Sequence, residues 1–301
     1  MVDIGDGRRL RLVCAGPAGG ADLTVLMESG AFGLAADWGV LQERLAARGQ
    51  RSCAYDRAGL GWSDPGPEPR DGQAVVGDLE ALLAASGERG PFILVGHSMA
   101  GLYLRLFTAR NPALVAGVVL VDATTPEAMD EPLVRQFVEH FIGLARLAAW
   151  GAGAGLFKPL TGTGFADKIG LTGAAKAEKR HAFADGTHNH WAAAEVSQWA
   201  ATAREAVAAG PFDPQLPVSV VLAGPPTGRV GWKAVQTAPA LASRHGSVEN
   251  VARADHASLL GTAHADAILR GIDHVRAVLA HTSEPVDAAP APVNAALGAR
   301  C

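Results

Sequence analysis

Short apolar, β-favouring runs recur along this chain, most without polar alternation and most separated from the next by a longer stretch of helical periodicity. The runs cover residues 9–14, 23–27, 51–55, 92–95, 115–121, 218–222 and 248–252. The helical patterns cover 38–47, 75–85, 101–110, 232–243 and 263–280. A strand that is apolar on both sides must be covered on both faces. Strand–helix alternation of this kind predicts a mostly parallel sheet sandwiched between helices. With 301 residues, 49% hydrophobic and 19% charged, the chain can bury such a core in one domain that carries an insertion.

The alternation breaks between residues 125 and 214. That segment has no strand pattern and is rich in Ala, Gly and helix formers, with 133–150 and 176–209 reading as helices. A helical insertion fits better than a structureless loop of that length. The expected division is a core domain over 1–124 and 215–281, a helical cap over 125–214, and a loose Ala/Pro-rich tail over 282–301.

Composition removes several function classes. The formal net charge of -4 leaves no basic footprint for nucleic acid. No stretch approaches the roughly 20 apolar residues of an integral membrane segment. The N-terminus lacks a basic segment followed by an apolar run, so the expected location is cytoplasmic, although a chain trimmed of a signal peptide would look the same. Cys14, Cys53 and Cys301 show no Cys-x-x-Cys spacing for a metal or redox site.

The chemistry concentrates in Pro91-Phe92-Ile93-Leu94-Val95-Gly96-His97-Ser98-Met99-Ala100-Gly101-Leu102. An apolar strand runs into Gly-x-Ser-x-Ala-Gly and then into a helix, the context a nucleophile elbow demands. Small residues two before and two after the serine, Gly96 and Ala100, let strand and helix approach. The helix N-terminus favours negative charge developing near Ser98. A helix-capping serine after a buried strand is the plainer alternative.

Several blocks in this order resemble the α/β-hydrolase fold superfamily, in its serine-nucleophile, esterase-like branch. They are Val25-Leu26-Met27-Glu28-Ser29-Gly30, Tyr55-Asp56-Arg57-Ala58-Gly59-Leu60-Gly61-Trp62-Ser63-Asp64, the elbow, Val118-Val119-Leu120-Val121-Asp122 and Ala254-Asp255-His256. The resemblance implies an eight-stranded, mostly parallel sheet flanked by helices, with a helical cap after the sixth strand. It also implies hydrolysis of a small-molecule substrate without metal or organic cofactor. Haloalkane dehalogenases and epoxide hydrolases share the fold but carry an aspartate where Ser98 stands. The fold would bring the strands of Cys14 and Cys53 side by side, and whether the two form a disulfide stays open.

Among the ten histidines, His256 is the candidate general base, because it follows the last strand and precedes the last long helix. His97 belongs to the elbow, with a side chain expected to point away from the serine. His188-Asn189-His190 has no carboxylate or cysteine at metal spacing. The stretch after the 218–222 run, where many family members carry the acid, contains no carboxylate. Asp122 is the candidate acid instead, with Glu127 as second choice. An acid fixes the imidazole tautomer and stabilises the imidazolium. The oxyanion hole is expected from the backbone N–H groups of Met99 and of Ala31, with Phe32 as the alternative. Asp56 and Arg57 are expected to fix their turn, and Glu28 has no assigned role.

The leading expectation is a carboxylic-ester hydrolase working through an acyl-enzyme. The same machinery would suit an amidase, a lactonase or a thioesterase, and a non-catalytic small-ligand binder is the reading from another class. Phe137, Phe141, Leu144, Leu147, Trp150 and Leu156 recur at roughly helical spacing, as an acyl-binding stripe or as simple packing. Substrate and oligomeric state are not written in the sequence.

Overall fold

A computed structural model of the chain describes residues 1–18, 23–227 and 230–283. The expected loose tail lies outside the described residues from 284 onward. Val2–Asp3 (β1) and Arg9–Leu10 (β2) pair as a small antiparallel hairpin. Leu12–Ala15 (β3) opens the main sheet. There follow Val25–Glu28 (β4), Gly39–Ala47 (α1), Ser52–Tyr55 (β5), Gly72–Ser86 (α2), Phe92–His97 (β6), Ala100–Arg110 (α3) and Val115–Val121 (β7). Pro132–Gly153 (α4), Gly173–Ala184 (α5), Gly186–Ser197 (α6) and Trp199–Ala208 (α7) come next, with no strand among them. Val218–Ala223 (β8), Val230–Ala242 (α8), Ser247–Val251 (β9) and Ala265–Ser283 (α9) complete the chain.

The strand order is β3-β5-β4-β6-β7-β8-β9, with β3 antiparallel to β5 and every other neighbour parallel. This is the α/β-hydrolase architecture expected from the sequence, but the main sheet holds seven strands among the described residues, not eight. The run 9–14 is interrupted at Arg11, whose N–H bonds the Ser63 hydroxyl and whose carbonyl takes the Asp56 N–H. Val2–Asp3 pairs only with the part before this break, so it never joins the sheet.

The apolar runs lack polar alternation because both faces are covered. Leu26, Leu94 and Leu120 pack with α2 and α3, whereas Val25, Met27, Ile93, Val95, Val119 and Val121 pack with α1 and α9. A fully buried Leu or Val contributes about 1.5–3 kcal/mol, so these strands anchor the fold. Asp71 caps α2 by accepting the Ala74 N–H at 3.0 Å, and Gly87 ends it in the left-handed conformation. The helix expected over 176–209 is three helices. The Asp185 side chain restarts the chain as α6 by accepting the His188 N–H, and a turn at Gln198 separates α6 from α7.

The antiparallel register sets Cys14 opposite Cys53, and the two form a disulfide. The parallel strands bring the carboxyl ends of β6, β7 and β8 to one edge, where sheets of this kind place their ligands.

Candidate active site

Ser98 follows β6 directly and has φ +58, the strained geometry of the elbow. Its N–H bonds the Val121 carbonyl at 3.1 Å, and its carbonyl accepts the Thr124 N–H at 2.8 Å, so the turn is stitched to the end of β7. Close approach explains the small residues around it. A Cβ on Gly96 would meet the Leu104 side chain at 2.6 Å, and one on Gly30 would meet the Ser98 Cβ at 2.8 Å. Apart from Asp6, the non-glycine residues with left-handed backbone are Phe32, Ser98 and Asp122, among those described. Strain of about 1–3 kcal/mol per residue is retained where the surroundings over-determine the conformation, as at functional sites.

Asp122 follows β7, with its N–H on the Val221 carbonyl at 2.7 Å. Its Oδ2 lies 2.6 Å from His256 Nδ1. Its Oδ1 accepts from Gln236 Nε2 at 3.3 Å and from the Ala223 N–H at 3.4 Å. Burial pushes this carboxyl up, but the hydrogen bond and charge of His256, aided by His97 and the Ala223 N–H, hold it below the ordinary aspartate value. Glu127, the second choice, pairs with Arg105 at 3.2 Å instead.

His256 stands on the loop between β9 and α9. Asp255 shapes this loop by accepting the N–H groups of Ala257 and Ser258 at 3.1 and 2.8 Å. His97 reaches this loop. Its Nε2 donates to the His256 carbonyl at 2.9 Å, and the two rings lie 4.4 Å apart. Burial, then the neighbouring His256, push the His97 imidazole down to about 3, which keeps it neutral. Its ring shares the site because the end of β6 faces the returning loop, a contact no local sequence signal announces.

Ser98, His256 and Asp122 line one cavity of about 460 Å³ with Ala31, Phe137 and Phe141. No hydrogen bond joins Ser98 to His256 among the described residues. The Ala31 and Met99 N–H groups have no acceptor within the described chain. Of the expected apolar stripe, Phe137 and Phe141 line this cavity and Leu144 lines an adjoining apolar chamber, whereas Leu147, Trp150 and Leu156 face outward. The other candidate histidines diverge. His181 stacks on Trp62, His190 is exposed, and His188 is buried with Nδ1 accepting the Gly61 N–H at 3.0 Å. Asn189 holds the carbonyls of Ala182, Phe183 and Asp185.

Asp56 fixes its turn as expected, accepting the Ala35 and Trp62 N–H groups at 2.7 and 3.1 Å. Arg57 does more. It donates to the Ser29 and Gly30 carbonyls and pairs with Glu28, which thereby gains a partner the sequence did not suggest.

A family model described as the α/β hydrolase fold matches residues 24–149. An AB hydrolase superfamily protein of Gibberella zeae is 32% identical over 131 residues, covering 42% of this chain and 40% of that protein. An uncharacterized protein of Schizosaccharomyces pombe is 35% identical over 96 residues, covering 32% of this chain but only 18% of its own length. The chain thus spans under half the length of these curated relatives. An esterase from Thermogutta terrifontis superimposes with TM-score 0.64 at 19% identity, over 90% of this chain and 94% of that one. An enol-lactonase from Burkholderia xenovorans LB400 superimposes with TM-score 0.61 at 17% identity, over 94% and 100%. At such identities the structural likeness speaks for the fold. Joined to the strand order, and to the family model that matches residues 24–149, it shows that the chain has the α/β-hydrolase fold.

Proposed function

We propose that the chain is a carboxylic-ester hydrolase that works through an acyl-enzyme on Ser98. The observation carrying this reading is the His256 imidazole, bonded to Asp122 at 2.6 Å on the cavity that also holds Ser98. Ser98 Oγ attacks the ester carbonyl carbon, its proton passes to His256 Nε2, and the carbonyl oxygen takes the electron pair as an oxyanion. Asp122 keeps the other imidazole proton on Nδ1, which leaves Nε2 as the acceptor. The N–H groups of Met99 and Ala31 receive the oxyanion. Collapse expels the alcohol, which takes its proton from His256. Water then attacks the acyl group by the same route and releases the acid.

In this reading residues 125–214 act as a helical cap over the carboxyl edge of a core domain formed by 1–124 and 215–281. The contact between Ser98 and His256 tightens when an ester fills the cavity, as hydrogen bonds of free enzymes commonly do. A cavity of this size suits a small-molecule ester.

A fluorophosphonate probe should label the protein at Ser98, and the protein should hydrolyse p-nitrophenyl acetate. Ser98→Ala should not label, and its kcat should fall by about 10⁶ with circular dichroism unchanged. Near-normal turnover by folded Ser98→Ala protein would overturn the reading.

A further inference from the structure

Arg57 is fully enclosed, at the start of the loop after β5. Its Nη1 donates to the Ser29 carbonyl at 2.6 Å and its Nη2 to the Gly30 carbonyl at 2.8 Å. Two buried carboxylates hold the guanidinium. Glu28 Oε1 lies 2.6 Å from Nη1. Glu195, on α6, accepts from Nε at 3.0 Å and from Nη2 at 2.8 Å. The Tyr55 hydroxyl donates to the other oxygen of Glu28. A buried ion cluster is a poor source of stability, because desolvation offsets most of its attraction. What the cluster positions is therefore the more informative question.

It positions a peptide. Gly30–Ala31 is a trans peptide, in which the carbonyl and the following N–H point in opposite directions. Arg57 holds the Gly30 oxygen, so the Ala31 N–H is aimed away from Arg57. Gly30, Ala31 and Ser98 all line the cavity. The turn adds a second bond on the same oxygen, from the Gly33 N–H at 3.1 Å. It also carries strain, since Phe32 sits at φ +57. Lys179 of α5 donates to the Phe32 carbonyl at 3.1 Å, so α5 reaches this loop directly and α6 reaches it through Arg57.

The geometry points to Arg57, pinned by Glu195, as a positioning residue that fixes the Gly30–Ala31 peptide so that the Ala31 N–H faces the oxyanion. Its chemical purpose rests on the ester-hydrolase reading; the peptide orientation does not. Because Glu195 belongs to α6, the donor stays aimed only while that helix is seated on the core.

The test uses the full chain as Arg57→Lys and Glu195→Gln. Lysine keeps the charge but cannot span both carbonyls and both carboxylates. Glu195→Gln preserves the shape and serves if Arg57→Lys does not fold. Crystal structures of each variant and of the wild type read the peptide orientation directly. Kinetics on p-nitrophenyl acetate and binding of an aryl trifluoromethyl ketone read its effect. With the ketone, Ser98 Oγ bonds to the carbonyl carbon, the π pair moves onto oxygen, and the serine proton goes to His256. In both variants the peptide should be rotated or present in two orientations. For Arg57→Lys, kcat should fall about 10²–10³-fold, ketone affinity should fall in step, and KM should stay within about threefold. Glu195→Gln should show the same pattern at roughly tenfold. A wild-type peptide orientation in a folded variant overturns the proposal, as does a loss confined to KM or melting temperature. A wild type inert toward ester and ketone would instead sink the ester reading, and the crystals would still decide the peptide lock.

Discussion

The carboxylate of Asp122 meets the imidazole of His256 at 2.6 Å from the end of β7, a position beside the strand that runs into Ser98. The contact selects the imidazole tautomer, so Asp122→Asn should keep the shape and favour the wrong one. A fall in kcat on the order of 10⁴ is expected, with KM far less affected. Glu127→Gln should retain its rate, because Glu127 faces Arg105. Steady-state kinetics of the two variants decide between the acids.

Gly30 lies against the elbow, where a Cβ would sit 2.8 Å from the Ser98 Cβ. Gly30→Ala should therefore displace either the loop after β4 or the serine. The expected result is a loss of about 10²-fold or more in kcat with a modest drop in melting temperature, the scale of losing one oxyanion donor. Unchanged turnover would mean that the loop has room to retreat.

His188 is held neutral, its imidazole pushed down to about 3 chiefly by burial and then by Lys179. An unfolded histidine titrates near about 6.5. Between those values the unfolded chain binds a proton that the folded chain does not. The contribution is thus full above the unfolded value and is lost as pH falls. The slope is about 1.4 kcal/mol per pH unit for this one group. In His188→Asn the Oδ1 can take over the Gly61 N–H, so urea unfolding measured from pH 7 to 4 should show a slope shallower by that amount. An unchanged slope would show that the folded protein protonates His188.

A second apolar chamber of about 400 Å³ shares Phe141, Lys168, Lys179 and Phe183 with the cavity that Ser98 lines. Small residues of α4, such as Ala148, leave it open. Filling it by Ala148→Phe should cut kcat/KM for p-nitrophenyl octanoate by about tenfold while the acetate stays within about twofold, since each acyl CH₂ buried is worth about 0.8 kcal/mol. Equal losses on both esters would show that the acyl chain goes elsewhere.

The Cys14–Cys53 bridge predicts one titratable thiol per chain in denaturant without reductant, and three after reduction. Closing a loop over 39 residues should make reduction cost about 2–4 kcal/mol of stability. Three thiols before reduction would refute the bridge.

The sheet and the meeting of Ser98, Asp122 and His256 at one cavity were legible because their signals are local. Two-faced apolar runs gave the strands, Gly-x-Ser-x-Ala-Gly gave the elbow, and Asp122 emerged from an absence after β8. Arg57 and Glu195 were not legible, since they are 138 residues apart and meet only when α6 packs on the core. The contact of His97 with His256 was not legible for the same reason, because its partner arrives on a distant loop. The three-way split of 176–209 hid behind alanines that favour helix on either side of the breaks. The limit of seven strands was not legible because the interruption at Arg11 comes from Ser63 and Asp56, which no pattern in residues 9–14 can show.

The ladder between β6 and β7 has one more consequence. Ser98 and Asp122 each hang from a carbonyl of the neighbouring strand, so the spacing between them is as stiff as the sheet itself. His256 enjoys no such support. It rides on an arm tied down by one carboxylate, one ring and the turn built by Asp255. On gentle warming the arm is expected to loosen before any strand unpairs. Function would then fade reversibly, at temperatures where the protein still scatters, absorbs and sediments as a native one.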